Sequence, residues 1–223
     1  NGRIFDISNY TVKYAGETEA VKVGEYSISI ELSDTASANY EVEPFNAVLK
    51  IVNAAQDIFA VENVPENVYY GDTFAVSATG ADGDVTYEIT DGGDIAEISA
   101  NGEVKVKDVG RVTIKATSKK DGYTDRTAVK TFEAKKRILT PSATAVNREY
   151  NGENGVSVDI ALSGGIVTGD TLTASASGSM INSDAGSGKI VYVNKITLSD
   201  NEKYTLSTNT LQITVNITPI EID

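Results

Sequence analysis

The chain has no cysteine and no histidine among its 223 residues. The first absence excludes disulfides and thiolate metal sites, and fits a bacterial better than an animal secreted source. The second removes imidazole ligands and, with the first, the serine–histidine and cysteine–histidine nucleophile systems. Tryptophan is also missing, methionine occurs once, and aromatic residues make up only 7%. No run of eighteen apolar residues occurs, so nothing reads as a bilayer-spanning helix. Stripes of apolar residues at helical spacing are absent, and almost no helix is expected. Cations are scarce beside anions, 19 Lys and Arg against 32 Asp and Glu, for a net charge of −13. That balance argues against nucleic acid and anionic membranes as partners, since both demand basic patches. The chain opens without Met or a signal peptide and reads as a piece of a longer protein.

What is present is β-forming. Hydrophobic residues reach 40%, with Val, Ile, Thr, Ser and Tyr prominent, enough for modest cores on pleated surfaces. A pattern near the C-terminus recurs near the N-terminus. Gly188 opens a strand to 198, followed by Leu198-Ser199-Asp200, Tyr204-Thr205-Leu206 and the strand 211–215. Gly24 opens a strand to 32, followed by Leu32-Ser33-Asp34, Tyr40-Glu41-Val42 and Leu49-Lys50-Ile51-Val52. A second echo links Gly71-Asp72-Thr73 to Gly169-Asp170-Thr171. Landmarks in matched order predict repeated β modules.

Strands are expected at 10–14, 24–32, 39–43 and 47–53, with Tyr26, Ile28, Ile30 and Leu32 on one face. Four strands are few for a sandwich, so residues 1–54 are expected to be a truncated module joined through Asn53-Ala54-Ala55-Gln56. Residues 55–136 carry short alternating segments separated by turns such as Asn101-Gly102 and Asp121-Gly122. The clearest is 111–117, with Val112, Ile114 and Ala116 facing inward. Along Ile190, Tyr192, Asn194, Ile196 and Leu198 a polar residue interrupts the face, and a β-bulge near Asn194-Lys195 would accommodate it.

Ile98-Ser99-Ala100-Asn101-Gly102-Glu103-Val104, followed by Gly110-Arg111-Val112-Thr113-Ile114-Lys115-Ala116, resembles the closing strands of the bacterial Ig-like group 2 domain. Tyr70-Gly71-Asp72 fits the start of such a repeat. Residues 137–223 resemble the YDG and related mostly-β repeats of bacterial surface proteins. Tyr150-Asn151-Gly152, Gly169-Asp170-Thr171-Leu172, Asp184-Ala185-Gly186, Leu198-Ser199 and Tyr204-Thr205-Leu206 carry that resemblance. Asn151 and Lys203 depart from it, standing for Asp and for Asn. The ending from Ile217 to Ile222 looks like a handover strand into a further repeat. The resemblances imply an all-β chain of tandem Ig-like antiparallel β-sandwich modules in an elongated array, divided as 1–54, 55–136 and 137–223. They also imply a non-catalytic, extracellular segment of a bacterial cell-surface protein, a spacer or adhesion scaffold, with a carbohydrate-binding adhesin module as the alternative. An unknown protein or glycan ligand and a monomeric state are expected.

Candidate chemistry is thin. Paired carboxylates could serve glycoside hydrolysis, but 32 acids on an anionic chain read as solvated surface. Asp82, Asp84, Asp91 and Asp94, set among Gly83, Gly92 and Gly93, suggest calcium, yet no spacing matches a calcium loop and acidic turns explain them better. Gly164-Gly165 and Gly186-Ser187-Gly188 open no helix and read as turns rather than phosphate cradles. Tyr69, Tyr70, Tyr123 and Tyr150 could form a sugar-stacking platform, or could pack at strand ends with wet hydroxyls. Lys13, Lys50 and Lys195 are candidates for isopeptide crosslinks, though outward-facing strand lysines are the simpler reading. No catalytic residue, metal site or cofactor is assigned.

Overall fold

The structure is a computed structural model that describes residues 7–57 and 59–222. Among them it is almost wholly β, with one four-residue α-helix and one 3-10 turn. Packing divides the chain into two compact units. One holds the described residues up to Ala60 with Ala78–Val85 and Thr117–Ala128; the other holds Val61–Ser77, Thr86–Ala116 and the chain from Val129.

The first unit contains a three-stranded antiparallel sheet of β1 (Tyr10–Tyr14), β2 (Gly24–Leu32) and β3 (Val48–Ile51), with β2 central. The first two strands have the bounds that their alternation predicts. Residues 39–43 do not form the expected strand. Ser33 caps a helical turn, α1 (Asp34–Ser37), by accepting from the Ala36 N–H at 3.3 Å. The Tyr40 N–H then donates to the Ala36 carbonyl at 2.9 Å. Local capping thus commits the segment to a turn, and Pro44 follows with no N–H to offer a ladder. Farther along, buried Gln56 ties its unit together. Its Nε2 donates to the carbonyls of Ser118 (3.0 Å) and Thr124 (2.9 Å), and its Oε1 accepts from Ser118 Oγ at 2.6 Å.

The next strands are β4 (Ala60–Glu62), β5 (Val68–Tyr69), β6 (Thr73–Ala75), β7 (Ser77–Thr79), β8 (Asp84–Asp91), β9 (Ala96–Ile98), β10 (Glu103–Val106), β11 (Gly110–Lys119) and β12 (Arg126–Lys135). They form sheets in the orders β5-β12-β11-β8, β6-β10-β9 and β4-β7. Val112, Ile114 and Ala116 of β11 are fully buried, the inward face the alternation predicts, and Ser118 extends it. The Asn101-Gly102 turn precedes β10. Gly102 takes φ +82°, and a Cβ there would stand 2.6 Å from the Val76 carbonyl oxygen, so glycine is required.

The remaining strands are β13 (Arg137–Ala145), β14 (Arg148–Glu149), β15 (Gly155–Val156), β16 (Val158–Ser163), β17 (Ala174–Ser179), β18 (Gly186–Leu198), β19 (Tyr204–Leu206) and β20 (Leu211–Thr218). They form two sheets, β16-β13-β19 and β14-β20-β18-β17-β15. The core between them is built on Val191, Val193, Ile196, Val215 and Ile217. The predicted bulge is present. Ser175 pairs with Thr197 but Ser177 with Asn194, and Lys195 takes φ +55°. The bulge also shifts the buried face. Beyond it Ile196 points inward as expected, but before it Val191 and Val193 do, leaving Ile190 exposed. The final strand stops at Thr218, short of the expected handover strand, and Pro219 supplies no donor to continue it.

Candidate functional site

Three sequence candidates are not assembled into sites. Asp82 and Asp84 stand at the start of β8 and Asp91 and Asp94 at its end. Eight extended residues hold the two acidic pairs roughly 20 Å apart, and Asp82 instead accepts from the Asp57 N–H at 3.2 Å. Among the described residues no three acids converge as a metal site would require. The tyrosines serve different environments. Tyr70 is buried, Tyr123 lies under the Lys120 ammonium at 4.3 Å, and Tyr150 stands 40% exposed. The lysines face outward. Lys13 pairs with Glu31 (3.4 Å), Lys50 with Glu25 (3.0 Å), and Lys195 sits exposed on the bulge.

The densest polar constellation surrounds Lys136, the single residue between β12 and β13. On one side β12 runs parallel to β5, and the Tyr70 N–H donates to the Lys135 carbonyl at 2.9 Å. On the other side β13 runs parallel to β19, and the Arg137 N–H donates to the Lys203 carbonyl at 2.9 Å. The chain therefore passes from one ladder to the next with one free residue between them.

Side chains close the joint. The Tyr70 and Tyr204 hydroxyls both donate to Oδ2 of Asp170, the former at 2.9 Å. The Tyr204 oxygen also accepts from the Val167 N–H at 3.0 Å. Arg137 donates through Nε to the Tyr70 carbonyl at 2.7 Å and pairs through Nη2 with Asp72 Oδ1 at 2.5 Å. Asp72 in turn accepts from the Tyr69 N–H through Oδ2 at 2.8 Å. Leu139 is fully buried between the tyrosines and Leu162, Val167, Leu172, Leu198 and Leu206. Lys203 lies 5.0 Å from the centre of the Tyr70 ring and 3.8 Å from Asp108.

The electrostatics suit a fastening rather than a reaction. Burial, reinforced by the bond to Asp170, pushes the Tyr70 phenol up to about 12. Burial also raises Tyr204, with Asp170 adding to it. The hydrogen bond from Tyr204 holds the Asp170 carboxyl below its ordinary value. Both phenols thus stay protonated donors and the carboxylate stays an acceptor at neutral pH. Neither tyrosine becomes a nucleophile.

Of these residues the sequence singled out Tyr70 as a stacking candidate and as part of a repeat start, Asp72, Asp170 and Tyr204 as module landmarks and Lys203 as a departure, but not Arg137. The usable signal was two Gly-Asp pairs, at 71–72 and 169–170, the first of them preceded by Tyr70. Lys203, a departure from the family pattern, is the residue that reaches both Tyr70 and Asp108.

Comparison with known proteins matches residues 72–129 to the bacterial Ig-like domain (group 2) and residues 134–211 to the YDG domain. Both resemblances read from the motifs are thereby established over these segments. No curated protein matches the chain. Similar solved structures include an EHEC O157:H7 intimin mutant, at 22% identity over 40% of this chain and 53% of that one, with TM-score 0.29. Another is the C-terminal 282-residue intimin fragment in complex with the intimin-binding domain of the translocated intimin receptor, at 16% identity, 60% and 46% coverage and TM-score 0.30. A third is domains 1–6 of the surface layer protein SbsC, at 14% identity, 96% and 35% coverage and TM-score 0.31. The chain spans about half the length of the two intimin chains.

Proposed function

We propose that this chain is a non-catalytic spacer segment of a bacterial cell-surface protein, built from modules that meet near residues 55 and 137 and holding another part of that protein away from the surface. The observation that carries the reading is the joint around Lys136. A spacer transmits position only if successive modules are fixed to one another, and flexible joints would let it fold back. Here two parallel ladders flank a single residue, and Tyr70, Asp170, Tyr204 and Arg137 tie the Ig-like segment to the YDG segment. Both domain families belong to serial repeats, in which length grows by adding self-contained cores. The net charge of −13 suits a solvated segment that resists adhering to its neighbours.

The alternative, a glycan-binding module in its own right, would need an exposed aromatic platform. Tyr70 is buried while Tyr123 and Tyr150 stand in separate environments, which favours the spacer. A glycan array probed with the purified chain tests the choice. The spacer reading expects no sugar-dependent retention. Retention that Tyr150→Ala abolishes would replace it with the adhesin reading.

A further inference from the structure

Asn-Gly steps occur in the sequence at 1–2, 101–102, 151–152 and 154–155. Such a step can close on itself, because glycine has no side chain to keep its main-chain nitrogen from the asparagine amide. The first step lies outside the described residues. Two of the others are held. The Gly102 N–H donates to the Ser99 carbonyl at 3.0 Å, its carbonyl accepts from the Val76 N–H at 2.8 Å, and the residue is buried. The Asn154 carbonyl accepts from the Met180 N–H at 2.9 Å, and Gly155 stands opposite Ser179 in the β15–β17 ladder. Asn151-Gly152 differs. The Tyr150 N–H donates to the Thr218 carbonyl at 2.9 Å, and beyond that bond the chain leaves β14. Asn151 and Gly152 are exposed, and the Gly152 N–H meets no acceptor among the described residues. Nothing lies within 4 Å of where a Cβ on Gly152 would stand.

Arg148 organises this turn. Its Nη1 donates to the Glu149 carbonyl at 3.1 Å and to Asn151 Oδ1, and its Nη2 to the carbonyls of Glu153 (2.7 Å) and Gly155 (3.5 Å). Asn151 Oδ1 also accepts from the Glu153 N–H at 3.0 Å. The guanidinium thus faces neutral oxygens, and among the described residues it pairs with no carboxylate. We propose that Asn151 is a site of spontaneous deamidation, and that the aspartate formed there becomes the ionic partner of Arg148. The Gly152 nitrogen gives its proton to solvent and bonds to Cγ of Asn151. The Cγ–Nδ2 bond breaks, and Nδ2 takes up a proton and leaves as ammonia. Arg148 Nη1, already on Oδ1, meets the negative charge that grows on that oxygen as the carbon becomes tetrahedral. Water then opens the cyclic imide, at Cγ to give aspartate or at the main-chain carbonyl to give isoaspartate. The balance is one water in and one ammonia out. Aspartate sets a charged acceptor where a neutral one stood against the guanidinium, which strengthens the bond. It is also the residue for which Asn151 stands in the YDG-type motif. The inference does not rest on the spacer reading.

Incubation of the whole chain at mildly alkaline pH, followed by peptide mapping in a mass spectrometer, tests the site. Conversion at Asn151 is expected to exceed that at Asn101 and Asn154 roughly tenfold, because those two steps must first open locally. The preference should disappear when the incubation is repeated in urea. Equal conversion at the three positions in the folded chain would overturn the site, as would a preference that persists in urea and so belongs to the flanking sequence. Asn151→Asp supplies the product directly and tests the ion pair. Its urea midpoint should lie above the parent's in dilute salt, and the gain should shrink in concentrated salt. Beside Arg148→Gln the same change should gain nothing. A midpoint at or below the parent's, or a gain that Arg148→Gln leaves intact, would overturn the pairing.

Discussion

Tyr70 and Tyr204 meet edge to face, ring centroids 5.4 Å apart and planes at 85°, while both hydroxyls converge on one oxygen of Asp170. The two rings come from either side of Lys136, and 34 and 100 residues separate Asp170 from its two donors. Removing the acceptor should therefore loosen a contact between distant parts of the chain. Asp170→Ala is expected to destabilise by about 1–3 kcal/mol, since two largely buried hydroxyls lose their partner. Asp170→Asn, which keeps one neutral acceptor oxygen, should cost less, about 1 kcal/mol. Thermal unfolding of the two variants beside the parent checks the order. Equal stability in all three would show that water replaces the carboxylate at no cost.

The same cluster sets a pH window. The Tyr70 value is raised in the folded state, to about 12 from 10.0, so its neutral form is favoured by folding. That contribution is fully present below 10 and is lost as pH rises through 12. Asp170 is lowered by its donors, so its contribution is present above the ordinary carboxylate range and is lost as pH falls through the folded value. Stability from the joint should thus be flat through neutral pH and fall at both extremes. Phenolate absorbance on alkaline titration gives the check. Among the 11 tyrosines, Tyr70 and Tyr204 should ionise late, and Tyr70→Phe should reduce that late fraction. A titration in which all tyrosines ionise together below 11 would contradict this.

Gly71 fixes how closely the two sides of the joint approach. Its φ is +81°, and a Cβ there would lie 2.3 Å from Cγ2 of Val167. Gly71→Ala should cost about 1–2 kcal/mol for the left-handed backbone and about 1–3 kcal/mol more for the overlap. Val167→Ala in that background relieves the overlap but not the backbone strain. The pair should therefore be strongly non-additive, with Val167→Ala less harmful beside Gly71→Ala than alone. Additive denaturation midpoints would show that the backbone shifts to make room.

Ser118 continues the fully buried Val112, Ile114 and Ala116 face of β11, which makes it the polar member of an apolar row. Its hydroxyl donates to Gln56 Oε1 at 2.6 Å and accepts from the Gly83 N–H at 3.3 Å. Ser118→Ala should cost about 1–3 kcal/mol by leaving the buried amide oxygen without a donor. Adding Gln56→Leu should deepen the loss, because the carbonyls of Ser118 and Thr124 then lose the Nε2 donor they share. Chemical denaturation of the single and double variants would settle the sign.

These cases separate what the sequence could convey from what it could not. β1 and β2 were legible to the residue because period-2 alternation is local. So was the bulge at Asn194-Lys195, since one polar residue broke an apolar row. The face before the bulge was not, because Ile190 and Val191 are equally apolar and only the opposing sheet chooses between them. Residues 39–43 read as a strand, but whether such a segment pairs depends on a neighbour outside the local pattern. Tyr70, Asp170 and Tyr204 were each visible as landmarks. Their meeting was not, because nothing within any one segment encodes a partner 34 or 100 residues away. Gln56 and Ser118 left one trace, a serine in phase with a buried row.

Protection against exchange should be uneven along the chain. Ala36 is the sole fully buried residue among those described before Gln56, whereas Val191, Val193, Ile196, Val215 and Ile217 pack a closed core at the other end. Among the described residues the β1-β2-β3 sheet has three strands and half-exposed faces, so little apolar area must be re-exposed to open it. Amides at Ile28, Ile30 and Ile51 are therefore expected to exchange faster than those at Val112, Ile114 and Ile213 in dilute solution. The difference should reach tenfold or more if the opening free energies differ by about 1.4 kcal/mol. Equal protection at all six positions would overturn this expectation.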